Sequence, residues 1–286
     1  MNLSLRSLCW LFLLTASFQH ASVSASEKEI ARYVSARDAF NHGDFQVAAE
    51  KFLTQLKSAE NDIESLTYLA RIMVHQNKLD EAEVFIEKAL KLAPENAEVQ
   101  NISGKIFGAI AQDASVFTAL GYARSCLKGF SSAVQIEPDN VDYRADLLTF
   151  HLNAPRIGGG DKSIAVEQAK AIQQLDEKRG FIALLNTYTT TQNYPALKQH
   201  INQIPKSIAN DPDVIFNKAM VQQKNEQYAQ SIKSFHHVVQ HAGNLEEFSI
   251  AKYAAIYQIG RTCVLSKQQV VDGIKALRRY LHEAPS

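Results

Sequence analysis

The chain has 286 residues, 46% of them hydrophobic, with 30 basic against 30 acidic side chains and only 12 Gly and 7 Pro. That is too apolar, and too poor in Gly and Pro, for a disordered or collagen-like protein. A formal net charge of zero removes the bulk attraction that draws proteins to nucleic acid or to anionic membranes, so neither is an expected partner.

The chain opens with a leader-like segment. Arg6 is the only charged residue before Glu27; an apolar stretch from Leu8 to Phe18 follows it, and then small residues ending Val23-Ser24-Ala25. This layout predicts a secretory signal peptide over 1–25, cleaved after Ala25, and a periplasmic or secreted protein beginning at Ser26. A membrane anchor needs roughly 20 apolar residues and this stretch is about half that, so no integral span is expected after cleavage. Cys9 sits early in the apolar core, which is the wrong place for a lipid-accepting cysteine. Cys126 and Cys263 alone remain in the mature chain, too few for a disulfide scaffold. The single Asn-x-Ser sequon of the mature chain, Asn101-Ile102-Ser103, falls in a predicted helix, which favours a bacterial periplasm over a eukaryotic secretory route.

Beyond the leader the pattern repeats. A first unit over 29–62 places Ala36 in one helix, a Gly43-Asp44-Phe45 turn, and Ala48 and Phe52 in a second helix. The clearest unit, 63–96, carries Leu66, Leu69, Ala70 and Met73, then His75-Gln76-Asn77-Lys78, then Ala82, Ile86 and Ala89, and closes on Pro94. Apolar residues three and four apart in two blocks around a polar tetrapeptide predict two amphipathic helices joined by a turn. Small residues at Ala70, Ala82 and Ala89 let the helices approach, and Pro94 stops the second. A third unit, 97–140, has Gly104, Cys126, Phe130, Ala133 and Pro138, with about ten extra residues between its helices. The fourth, 141–177, has Leu148 and Ala165 around a long turn; the fifth, 178–211, has Leu185, Tyr194 and Ile201. The sixth, 212–245, has Ala219, Tyr228, Ser231 and Phe235, and the last, 246–286, has Ile256, Ile259, Gly260, Cys263, Gly273, Leu277 and Pro285.

This recurrence of small, large and closing Pro positions resembles the tetratricopeptide repeat, a 34-residue helix-turn-helix. The resemblance covers nearly all of residues 26–286. It implies an all-α protein, a right-handed α-solenoid of about seven repeats in which each unit packs on its neighbours. The chain ends soon after the last predicted helix, so Leu277, Tyr280 and Leu281 are expected either to form an apolar edge open to a partner or homodimer, or to be covered by Arg278, Arg279, His282 and Glu283.

Candidate sites follow from the same frame. The resemblance implies that the first helices line a concave groove, where the residue after each small one faces inward: Arg37, Arg71 and Lys105 in the first three repeats, then Thr149, Asn186, Met220 and Arg261. The first three make a basic ridge suited to acidic side chains or a C-terminal carboxylate, with the Asn101 amide one turn away. Glu64 and Glu98, two turns before Arg71 and Lys105, are placed to neutralise cations of neighbouring repeats. In the later repeats Ile182, Phe216, Met220, Tyr257 and Val264 predict an apolar lining for a helix or extended segment, with the alternative that some of them pack between repeats.

Arg156-Ile157-Gly158-Gly159-Gly160-Asp161-Lys162-Ser163 invites comparison with a phosphate-binding loop. The comparison fails because Asp161 stands where that motif needs Gly before Lys, and because the segment follows a helix. The plainer expectation is a long turn using glycine conformations, with Asp161 capping the next helix and Arg156 to Asp161 at a groove rim. His237 and His241 share a helix face as a zinc pair would, but no further ligand completes a site, so no metal is expected. Cys126 and Cys263 occupy core slots as small hydrophobes. No catalytic constellation stands out, and no cofactor is expected. These observations predict a non-enzymatic periplasmic adaptor that binds protein or peptide segments in its groove, against the alternative of small-ligand or cell-wall recognition at the Gly158–Asp161 loop.

Overall fold

The computed structural model describes residues 35–243 and 249–284; the leader expected in 1–25, the start of the first repeat, the join at 244–248 and Pro285 lie outside them. The described residues form helices and turns, with no strand. Cα packing divides the chain between Ile136 and Glu137 into two compact units.

The N-terminal unit holds α1 (35–41), α2 (Phe45–Ser58), α3 (Ile63–His75), α4 (Leu79–Leu92), α5 (Ala97–Asp113) and α6 (Val116–Ile136). From α2 onward each helix packs on the next, and α3 also touches α5, so successive first helices share one side of the unit. The small residues make this possible: Ala36, Ala48, Ala70, Ala82, Ala89 and Ala133 are fully buried, and Phe52, Leu69 and Ile86 fill the spaces between them. The extra residues of the third repeat form an arm rather than a loop. α5 has 17 residues and α6 has 21, against 13 and 14 in α3 and α4. Val116 and Phe117 at its tip are 82% and 95% exposed.

The C-terminal unit holds α7 (Val141–Asn153), α8 (Lys162–Leu175), α9 (Glu177–Thr190), α10 (Tyr194–Asn202), α11 (Pro212–Lys224), α12 (Tyr228–Ala242), α13 (Ser249–Ser266) and α14 (Val270–Glu283). Here α7, α9, α11 and α13 touch in series and again share a side. The fifth repeat departs from its expected pattern, because Tyr194 is half-exposed at the start of α10 and Leu197 is the buried residue. Leu197 fills the slot that Ala82 and Ser231 occupy in other repeats, and the short α10 closes over it with Ile201 and Ile204.

Two local devices punctuate the helices. An Asp or Asn precedes α3, α5, α7, α9 and α11, and the side chains of Asp62, Asn96, Asn140, Asp176 and Asp211 each accept a backbone N–H from the first turn. In four of the pairs the first helix ends on a left-handed residue, Gly43, Asn77, Gln192 or Glu226. The next residue's N–H then donates back five positions, as Lys78 does to the Met73 carbonyl and Gln227 to that of Gln222.

At the C-terminal edge, Leu277 lies half-buried over Gly260 and Tyr280 packs against Tyr257, ring centroids 5.4 Å apart. Leu281 is the open member of the expected edge, joined by Val270, Val271 and Ile274. Arg279 is occupied by Glu283 at 3.0 Å.

Candidate functional site

The first helices of the N-terminal unit build the most chemically distinct surface. Arg37 follows the buried Ala36, and its Nε lies 2.7 Å from Oε1 of Glu64 on α3. This is a close ion pair rather than a directed hydrogen bond, since Glu64 Oε1 has no donor in hydrogen-bond geometry. Burial pushes the Glu64 carboxyl above its ordinary range, and the Arg37 charge pulls against that shift. Both residues line a hollow of about 290 Å³ with Ile63, Thr67, Tyr68, Asn96, Glu98 and Val99. The hollow therefore carries both signs of charge, with Glu64 and Glu98 beside Arg37.

Arg71 is held differently. Its guanidinium carbon lies 4.4 Å from the ring centre of Phe40 and 4.9 Å from that of Tyr68. Phe40 meets Tyr68 edge-on at 5.2 Å, so two aromatic rings from α1 and α3 form one platform for one cation. No hydrogen bond or ion pair occupies the Arg71 donors among the described residues. Lys105 is exposed on α5, whereas Asn101 is only 3% exposed and lies within the packed part of that helix. The three expected cations thus differ in kind, and the aromatic platform was not among the residues expected from sequence. Tyr68 three residues before Arg71 is a readable helical neighbour, but Phe40 belongs to the previous repeat.

A second hollow in this unit, about 350 Å³, lies among α4, α5 and α6 and is lined by residues such as Gln100, Ser103, Lys91 and Lys128. Its buried polar groups are used locally: Gln100 donates to the Pro94 carbonyl and Ser103 to that of Gln100.

In the C-terminal unit Phe216 and Met220 are half-buried against the core of α11 to α13, and Ile182 packs on the cluster around Phe181 and Leu185. Tyr257 and Val264 stay open, at 43% and 69% exposure. Arg261 donates to Gln223 Oε1 at 2.9 Å, and Gln223 donates in turn to Thr262 at 2.7 Å and to Gln258. These residues form a polar clasp between α11 and α13.

The glycine-rich segment is a turn accounted for by its own bonds. Arg156–Gly158 form a single 3-10 turn, Gly159 adopts φ 100°, and Asp161 caps α8 by accepting the Ser163 N–H. At Gly160 an added Cβ would lie within bonding range of the Ala154 carbonyl oxygen, so backbone passes against backbone there. Beneath the loop, His151 is 4% exposed with its Nδ1 unpartnered. Burial pulls its pKa down, against the opposing pull of Asp161 and of the Gly159 backbone. Cys126 and Cys263 are buried free thiols, and burial pushes Cys263 up. No helix among the described residues is long and apolar enough to cross a membrane.

Paired helices whose first members line one side of each compact unit define a helical-repeat protein. Residues 39–106 match the sequence model of the tetratricopeptide repeat. The mouse (Mus musculus) Tetratricopeptide repeat protein 5 is 26% identical over 215 residues, which is 67% of this chain and 46% of that one. The chain therefore spans about half the length of this curated relative. A tetratricopeptide repeat protein from Parabacteroides merdae superposes with a TM-score of 0.60 at 13% identity, covering 89% of this chain and 93% of that one. The C-terminal part of a repeat protein from Cytophaga hutchinsonii gives 0.53 at 14% identity, covering 89% and 96%. Residues 39–106 thus carry the tetratricopeptide repeat pattern, and the described helices share the fold of these repeat proteins.

Proposed function

We propose that this protein is a non-enzymatic periplasmic adaptor that holds an acidic segment of a partner protein against the first helices of its N-terminal repeats, with Arg71 as the anchoring cation. One observation carries the reading: the Arg71 guanidinium is fixed on the rings of Phe40 and Tyr68 while its donors have no acceptor among the described residues. A carboxylate accepts two parallel N–H bonds from such a fork, which a lysine cannot offer. Arg37, Lys105 and the hollow beside Tyr68 and Glu98 extend the contact, and the negative charges there select which acidic positions are tolerated. Apolar contacts at Tyr257 and Val264 on the C-terminal unit would take a second segment of the partner.

The test is affinity capture from a periplasmic extract with the protein beginning at Ser26, beside Arg71→Glu and Arg71→Lys variants shown to be folded. The wild type is expected to retain a partner, Arg71→Glu to lose it, and Arg71→Lys to retain it weakly. Equal capture by all three would remove Arg71 from the site. Export belongs to the same proposal: the mass of protein recovered from the periplasmic fraction is expected to correspond to a chain starting at Ser26, and recovery of the full chain in the cytoplasm would reject it.

A further inference from the structure

The exposed side of α12 carries a pair of imidazoles that the adaptor reading does not use. His237 and His241 are one helical turn apart, and their Nε2 atoms lie 3.1 Å from each other. The ring centroids are 3.9 Å apart and the planes stand at 89°, an edge-to-face contact with both Nε2 atoms on the same side of the pair. The second ring nitrogen of His241, Nδ1, is 3.1 Å from the His237 carbonyl oxygen and donates its proton there. That bond fixes the tautomer and leaves Nε2 of His241 without a proton, with its lone pair available. A backbone carbonyl on the far nitrogen is the outer partner that metal-bound histidines commonly have.

The spacing is that of a chelate. Two nitrogens 3.1 Å apart, each about 2.0–2.1 Å from one cation, subtend an angle of roughly 100° at it. This lies between the right angle of a tetragonal cis pair and the tetrahedral value. We propose that His237 and His241 form a two-point chelating site for a divalent transition cation, taking Cu²⁺ ahead of Ni²⁺ and Zn²⁺, with water completing the coordination. The order follows from imidazole donors and the general rise of affinity to copper. Among the described residues no cluster of three or more His, Cys, Asp or Glu side chains gathers, so the described residues supply two ligands. His236 is not one of them, because it faces Asp272 of α14 at 3.0 Å. Lys218 of α11 is the other charge acting on His237, and it opposes a bound cation.

Titration of Cu²⁺ into chelator-treated protein, followed by calorimetry and by electron paramagnetic resonance, tests the site. The expected result is one ion per chain with a two-nitrogen signature. Affinity is expected to fall at least tenfold in His237→Ala and in His241→Ala, to stay unchanged in His236→Ala, and to rise in Lys218→Gln. All four positions are at least partly exposed, and circular dichroism checks that the variants fold. Wild-type affinity in both His237→Ala and His241→Ala, or an equal loss in His236→Ala, overturns the proposal.

Discussion

A methyl group added at Gly180 would lie 2.1 Å from the Cα of Gln173 in the facing helix α8, closer than any side-chain adjustment can relieve. Gly180→Ala is therefore expected to destabilise the protein by about 1–3 kcal/mol through overpacking, read as a lowered melting temperature. Gly121, on the exposed arm, has nothing within 4 Å of the same position, so Gly121→Ala there is expected to stabilise by up to about 1 kcal/mol through helix propensity. Two histidines, His151 buried and His200 part-buried, add a pH dependence. Burial lowers the pKa of both His151 and His200, the latter stacked on Phe181 with its Nε2 donating to the Phe181 carbonyl. Below the ordinary histidine value of about 6.5 the unfolded chain takes up protons that the folded chain holds off. Stability is full above that pH and falls as the pH drops toward the depressed folded values. Melting at pH 7.5 and 5.5 is expected to show a drop that shrinks in His151→Gln and in His200→Gln; an unchanged drop in both would place its origin elsewhere.

The helix pairs share a turn whose cost varies with the residue that occupies it. Gly43 and Asn77 tolerate the left-handed conformation, whereas Glu226 and Gln192 adopt it at φ 60° and 55° with a β-carbon in the way. Glu226→Gly is expected to stabilise by roughly 0.5–1 kcal/mol, and chemical denaturation with an unchanged slope would show it. The pairing of helices is legible in the sequence because small residues must recur wherever two helices cross closely, and Ala70, Ala82 and Ala89 are fully buried where that rule places them. The Asx caps Asp62, Asn96, Asn140, Asp176 and Asp211 were not read from the sequence, although each stands directly before a first helix. Contacts between repeats are less legible than the pairing. Phe40 and Arg71 come from different units, and their meeting depends on how one helix stacks over another, which periodicity along a single helix does not encode. Leu197 replacing Tyr194 in the core reflects the same limit, because a three-residue shift keeps the helical stripe while changing which member is covered. The spacing of His237 and His241 is visible, but their convergence depends on two rotamers and one carbonyl.

For the molecule as a whole, α14 buries Gly273 and Ala276 against α13 and turns Val270, Val271, Ile274 and Leu281 outward. Self-association through this face is a proposal with a direct check. Sedimentation velocity is expected to give a dimer for the wild type and a monomer for the Ile274→Lys, Leu281→Lys double variant; a wild-type monomer at the highest soluble concentration would end it. The arm of α5 and α6 bears on how such an array changes size. The two helices exceed α3 and α4 by four and seven residues, close to one and two helical turns. Length added in whole turns leaves the covered stripe of each helix at the same azimuth before and after the addition. The arm therefore acts as a spacer that can be extended or shortened turn by turn without re-cutting the core, whereas a change of two residues would turn the tip by roughly 200° relative to Phe130 and Ala133 at its base.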